Sequence, residues 1–194
     1  MSENVKGQVD KERIKNAVRE LLCAIGENPQ REGLKETPDR VARMFEELTS
    51  GYAQTPAEHL SKTFCESGAS IVIENNISFS STCEHHLMPF FGAVHIGYVP
   101  NGKVVGLSKL ARVVDVFAKR LQLQERMNRQ IADAIFDELQ PKGVIVAIEA
   151  EHTCMTARGV KKVGSKTFTF VERGNIDEQS KAVFFASIKN VGNL

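Results

Sequence analysis

Apolar positions at helical spacing open the chain: Ile14, Val18, Leu21, Leu22 and Ile25 fall on one face, and Gly26 is the expected stop. After a polar loop around Gly33, Thr37 followed by Pro38 reads as an N-cap with proline in the first turn. Val41, Met44, Phe45 and Leu48 then form the stripe of a second helix that ends at Gly51. Neither helix is long enough to hold alone, so both are predicted to pack on something else. After about Ala69 the period changes: Ile71 to Phe79 and Phe90 to Val99 read as neighbouring strands, and Pro100-Asn101-Gly102 marks a turn. Ser108 is a candidate cap for a helix carrying Leu110, Val113, Val114 and Phe117. A further helix turns Met127, Ile131, Ala134, Ile135 and Leu139 inward and stops near Pro141 and Gly143. Val144 to Ile148 is a buried-type strand, Lys166 to Val171 an alternating one, and Asp177 to Ile188 a closing helix. A helical N-terminal arm followed by strand, strand, helix, helix, strand, strand predicts an α+β fold, with the arm over residues 1–68 and the sheet domain over 69–194.

Composition narrows the function without naming it. The 194 residues suit one domain with a helical extension, and 42% hydrophobic content is enough for a core. The 25 basic and 24 acidic residues balance to +1, which argues against a nucleic-acid binder but leaves room for a small anion held by local cations. No run approaches the roughly 20 apolar residues that span a bilayer, and Met1 to Lys6 lacks the pattern of a secretory signal. The cytoplasm is the expected compartment. There Cys23, Cys65, Cys83 and Cys154 read as thiols or metal ligands rather than disulfides. Cys23 and Cys65 are expected to be buried thiols and His95 a sheet-facing imidazole.

Chemistry concentrates in two places. In Cys83-Glu84-His85-His86, a thiolate and an imidazole three positions apart can meet on one ion from a tight turn. In His152-Thr153-Cys154, an extended backbone would send the first and third side chains to the same side. Each cluster alone has an inert explanation: a polar loop in one case, a structural thiol beside a hydrogen-bonded histidine in the other. Together they hold two of the four cysteines and three of the five histidines, and a shared site explains that better. Cys83, His86 and Cys154 make a three-ligand zinc set, which leaves a position for water as catalytic zinc requires. His85 and His152 are then candidates for proton transfer. Ser108, Lys109 and Arg112 at a helix start form a candidate phosphate site, and Arg158 could add a bidentate anion contact. Arg40 and Arg43 are a second same-face pair, which alone reads as a solvated surface. Glu125, at a helix start, alone reads as a charge that favours the helix dipole. The His-x-Glu and Pro-Cys-x-x-Cys segments of zinc nucleoside deaminases do not occur. A zinc that merely staples the fold would call for a fourth protein ligand.

In order along the chain stand Thr37-Pro38-x-Arg40-Val41-Ala42, Cys83-Glu84-His85-His86, Gly106-Leu107-Ser108-Lys109, Gln122-x-Gln124-Glu125-Arg126, and His152-x-Cys154 with Ala157-Arg158-Gly159. This series, from Thr37 to Arg158, resembles GTP cyclohydrolase I. Lys166-Thr167-Phe168-Thr169-Phe170 matches the family's threonine-rich strand less well, and no site residue is expected there. The resemblance implies a tunnelling fold (T-fold), with an antiparallel sheet and paired helices, whose subunits join their sheets into a barrel and assemble as a homodecamer. It implies conversion of GTP and water to 7,8-dihydroneopterin triphosphate and formate, the entry step of folate or tetrahydropterin biosynthesis. It also assigns residues: Cys83, His86 and Cys154 to Zn2+, His85 to protonating the purine at N7, and His152 to later proton transfers. By the same resemblance Gln124 and Glu125 anchor the guanine edge. Ser108, Lys109, Arg112 and Arg158, with Arg40 and Arg43 of a neighbouring chain, hold the triphosphate.

Overall fold

A strand that is apolar on both faces has to be covered on both, and β6 (Gly143–His152) is such a strand. Its Val144, Val146, Ile148 and Ala150 share one core with Leu110, Val113, Val114 and Phe117 of α4 (Leu107–Ala118) and Met127, Ile131 and Ile135 of α5 (Gln124–Leu139). Its Ile145 and Ala147 face the other way, onto Phe184, Phe185 and Ile188 of α7 (Glu178–Val191). The computed structural model describes residues 8–66, 68 and 70–191. Met1 to Lys6, which lack the pattern of a secretory signal, and Ala69, where the sheet domain was expected to begin, lie outside the described residues.

Around β6 the sheet runs β5-β2-β3-β6-β7. The strands β2 (Val72–Cys83), β3 (Pro89–Val99), β6 and β7 (Lys166–Gly174) are antiparallel, and the two-residue β5 (Leu121–Gln122) lies parallel to the end of β2. The fold is α+β, an antiparallel sheet backed by a pair of helices. Gly92 has a steric reason to be glycine, since a Cβ there would drive into the Glu149 carbonyl of β6. A bulge in β2 between Glu74 and Ile77 puts Asn76 at φ 57° and points its N–H at Nδ1 of His95, 3.2 Å away. His95 is buried and hydrogen-bonded within the sheet, as expected.

The N-terminal helices are α1 (Lys11–Ala24), capped by Asp10, and α2 (Thr37–Leu48). Lys15 bridges to Asp39 at 2.7 Å across the pair. A short 3-10 turn (Ser50–Ala53) and α3 (Ala57–Leu60) lead into β1 (Thr63–Cys65), which pairs with β4 (Lys103–Val105). Three local expectations are corrected. Thr37 is already the first helical residue and Glu36 precedes it without a side-chain cap, so Pro38 falls in the first turn one step later. Gly106, not Ser108, caps α4 from an extended backbone. Cys23 and Cys65 are exposed rather than buried, because Cys23 is off the apolar stripe of α1 and β1 shows all three of its residues to solvent. No described helix is long and apolar enough to cross a membrane.

Candidate active site

Three stretches of backbone meet where β2 ends. Cys83 is its last residue, and the chain reverses through Glu84–Met88 into β3: the Cys83 N–H donates to Met88 O at 2.8 Å and the Leu87 N–H to Cys83 O at 2.9 Å. Leu87 sits at φ 53°, in the left-handed region, which tightens the turn. The Glu84 N–H donates to Gln122 O at 3.1 Å, and the Glu84 carboxylate pairs with Arg126 at 2.6 Å, so this loop is tied to the start of α5. The third stretch is the end of β6, where the short helical turn α6 (Thr153–Thr156) begins. The Thr153 hydroxyl donates to Pro89 O at 2.6 Å and pins that turn to β3.

This arrangement brings one ligand atom each from Cys83, His86 and Cys154 within 4.8 Å of one another. Cys154 reaches the cluster from a helical turn and not from an extended strand, so the expectation of convergence holds while its geometric reason does not. Cys83 Sγ and His86 Nδ1 are 3.9 Å apart. Sulfur and nitrogen ligands of a tetrahedral zinc stand roughly 3.5–3.8 Å apart, given bonds of about 2.3 and 2.0 Å, so the donor set and its spacing fit that ion. Burial and then the adjacent Cys83 thiol push the Cys154 thiol up, while Arg158 pulls it the other way. Two neighbouring thiolates are disfavoured without a cation between them, and a divalent ion supplies that charge.

The cluster opens onto a cavity of about 430 Å³ that is also lined by His85, Leu123, Gln124, Glu125, His152, Met155 and Thr167. His85 is exposed, and its ring lies nearly perpendicular to that of His86, at 84° with centroids 6.2 Å apart. Both imidazoles line the cavity, and His86 is the one whose ring nitrogen turns to Cys83. The His152 ring stacks on Phe90, its cross-strand partner, at 4.6 Å and 3°. Burial holds its pKa below the ordinary histidine value, with Glu125 opposing, so the neutral ring is its resting form at neutral pH.

The sequence matches the GTP cyclohydrolase I family over residues 14–189. The chain belongs to that family. It is therefore a hydrolase of the cyclohydrolase kind. The GTP cyclohydrolase 1 of Clostridium kluyveri is 63% identical over 166 residues, spanning 86% of this chain and 90% of that one. The enzyme of the same name from Clostridium perfringens is 54% identical over 182 residues, 93% of this chain and 98% of its own. Among solved structures, the archaeosine synthase QueF-Like in the apo form covers 57% of this chain and 100% of its own at 18% identity and a TM-score of 0.48.

Other residues that GTP cyclohydrolase I resemblance marked are placed as follows. Glu125 is exposed in the first turn of α5, on the cavity wall. Ser108, Lys109 and Arg112 occupy the first two turns of α4, and Arg158 follows α6; none of the four lines the cavity within one chain. Arg40 pairs with Glu36 at 2.8 Å and Arg43 with Asp39, both within the α2 surface and away from the cavity lining. Two contributors were missed. Thr167 lines the cavity, and the Thr169 hydroxyl accepts from Gln124 and Asn128, both at 3.1 Å. The signal was present in the alternation of Lys166–Phe170, but period 2 does not say which face turns inward, and here threonines are inside and Phe168 and Phe170 outside.

Proposed function

We propose that this chain is a zinc-dependent GTP cyclohydrolase I that converts GTP and water to 7,8-dihydroneopterin triphosphate and formate. The observation carrying the proposal is the convergence of a three-donor Cys-His-Cys set, two further imidazoles and a helix-terminal carboxylate on one cavity. Cys83, His86 and Cys154 hold the ion, which when bound supplies Lewis acidity and activates water near neutral pH. His85 donates a proton to N7 of the purine and makes C8 electrophilic. His152, neutral at rest, takes up and returns protons in the later steps. Ser108, Lys109, Arg112 and Arg158 hold the triphosphate, with Arg40 and Arg43 supplied by a neighbouring chain. That sharing calls for an assembly, for which we propose the tunnelling-fold barrel and a homodecamer. Incubating the zinc-loaded protein with GTP after separation by size tests reaction and assembly together. Formate and a pterin that fluoresces on oxidation should appear in equal amounts, and only in the large species. Full turnover by a monomer would overturn the assembly and the placement of Arg40 and Arg43.

Glu125 explains selection of guanine. The base presents N1–H and its 2-amino group side by side, and a carboxylate offers two acceptors at matching separation. Adenine presents a lone pair at N1 and no 2-amino group. Hydrogen bonds to charged groups contribute roughly 1.5–3 kcal/mol each, so ATP should be rejected about a thousandfold, the factor that roughly 4 kcal/mol represents. ITP, which lacks only the 2-amino group, should fall between. In Glu125→Ala the preference for GTP over ITP should shrink roughly tenfold, one such bond's worth, with zinc content unchanged. A variant that keeps the parent's ratio of kcat/KM values would make Glu125 a helix-terminal charge only.

A further inference from the structure

Gln124 borders the cavity, yet its side chain is 1% exposed and fully engaged with the protein. Its Nε2 lies 3.1 Å from each of three acceptors, Ile148 O, Thr167 O and Thr169 Oγ1, so two hydrogens already serve three partners. A carboxamide can be turned either way, but two of those partners are main-chain carbonyls that only accept. Nitrogen therefore faces them. The oxygen is left facing Nε2 of His152 at 2.8 Å, and that contact is a hydrogen bond only if Nε2 carries the proton. Asn128, also buried, donates to the same Thr169 hydroxyl and braces it from the next turn of α5.

From this network we infer that Gln124 is a positioning residue: it acts through His152, holding that ring with Nε2–H toward its own oxygen and leaving Nδ1 as the nitrogen outside this bond, and does not itself read the base. Two constraints act on one ring. The Phe90 stack sets its plane, and the Gln124 oxygen sets its rotation within that plane. Gln124 is in turn fixed from β6, β7 and α5, so the imidazole inherits the rigidity of the sheet although it stands at a strand end. A glutamine serves here better than the carboxylate that often supports a histidine. An acid at this position would face three acceptors with no hydrogens to give. The inference deepens the reading of His152 as a proton-transfer group and rests on it.

The test begins with neutron diffraction from deuterium-exchanged crystals of the zinc-loaded protein without nucleotide. Deuterium on Nε2 of His152, directed at the Gln124 oxygen, is expected; a bare Nε2 would overturn the inference. Kinetics of Gln124→Met, close in shape but without the amide, give the second readout. A positioned acid–base group contributes roughly 10²–10⁴-fold, so losing its orientation should lower kcat by about 10–100-fold, part of that range, with KM within roughly threefold and zinc retained. A rise in KM at unchanged kcat would make Gln124 a base-reading residue and overturn the inference. Should Gln124→Met not fold, Thr169→Val carries the test, because it leaves both carbonyl acceptors in place. Reduced kcat at constant KM supports the positioning role, and unchanged kcat overturns it. A parent protein that makes no pterin from GTP would sink the functional reading instead, while deuterium on Nε2 would still support the assignment of Gln124.

Discussion

Cys154→Ser is expected to purify with little zinc and to open no guanine ring at a measurable rate. Three protein atoms form the donor set, and Cys154 supplies one of its two sulfurs. A serine hydroxyl is not ionised at neutral pH and is a poor ligand for zinc, so the variant keeps only one thiol and one imidazole. Substituting a partner that merely supports a ligand costs 10–100-fold in affinity or activity; removing the ligand itself should weaken zinc binding at least about a hundredfold. The change should not unfold the chain. Cys154 is half-buried on the four-residue α6, which is held by the Thr153 hydroxyl and the Ala157 N–H to Thr153 O, neither of which involves the thiol. Elemental analysis decides the matter, with far-ultraviolet circular dichroism as the check on folding. Cys65→Ser is the matched control, since that thiol is exposed on β1 and outside the donor cluster. Full zinc occupancy in Cys154→Ser would remove Cys154 from the ligand set.

What the sequence displayed well was whatever long-range packing had written as periodicity. Val144 to Ile148 reads as a strand buried on both faces, and it lies between α4–α5 and α7. Cys83-Glu84-His85-His86 reads as a tight turn, and it is one. The pairing of β1 with β4 left no trace, because three residues cannot display an alternation. The two-residue β5 is invisible for the same reason, although it places Gln122 where its carbonyl receives the Glu84 N–H. Convergence of His152 with Cys154 was legible from chemistry, as a concentration of ligand types, and not from geometry; the extended backbone assumed for Thr153 and Cys154 gives way to a helical turn. Gln124 shows the limit most clearly. Its identity and place before Glu125 are in the sequence, but its three acceptors come from β6 and β7, 24 to 45 residues away, and only tertiary structure shows that its hydrogens are already used.

The variant that separates ligand from acid is His85→Ser, which should keep its zinc and lose ring opening by roughly 10²–10⁴-fold, the range that a positioned proton donor contributes. The two histidines are adjacent in sequence, yet their rings stand at 84° to each other, and only His86 places a nitrogen near Cys83 Sγ. His85 lies outside the donor cluster, lines the cavity and is exposed, so its loss removes no ligand. The turn that presents it does not depend on its side chain either. Main-chain bonds from Cys83, Glu84 and Leu87 and the Glu84–Arg126 ion pair hold that loop. A serine hydroxyl is too weak an acid at neutral pH to replace an imidazolium, so N7 stays unprotonated and C8 loses the activation that attack by water requires. His86→Ser, made alongside, should show the opposite pattern and lose the metal. Zinc loss from His85→Ser would mean that the two imidazoles have exchanged roles. Near-normal turnover with zinc in place would mean that the proton comes from elsewhere, with His152, whose ring lines the same cavity, the next group to substitute.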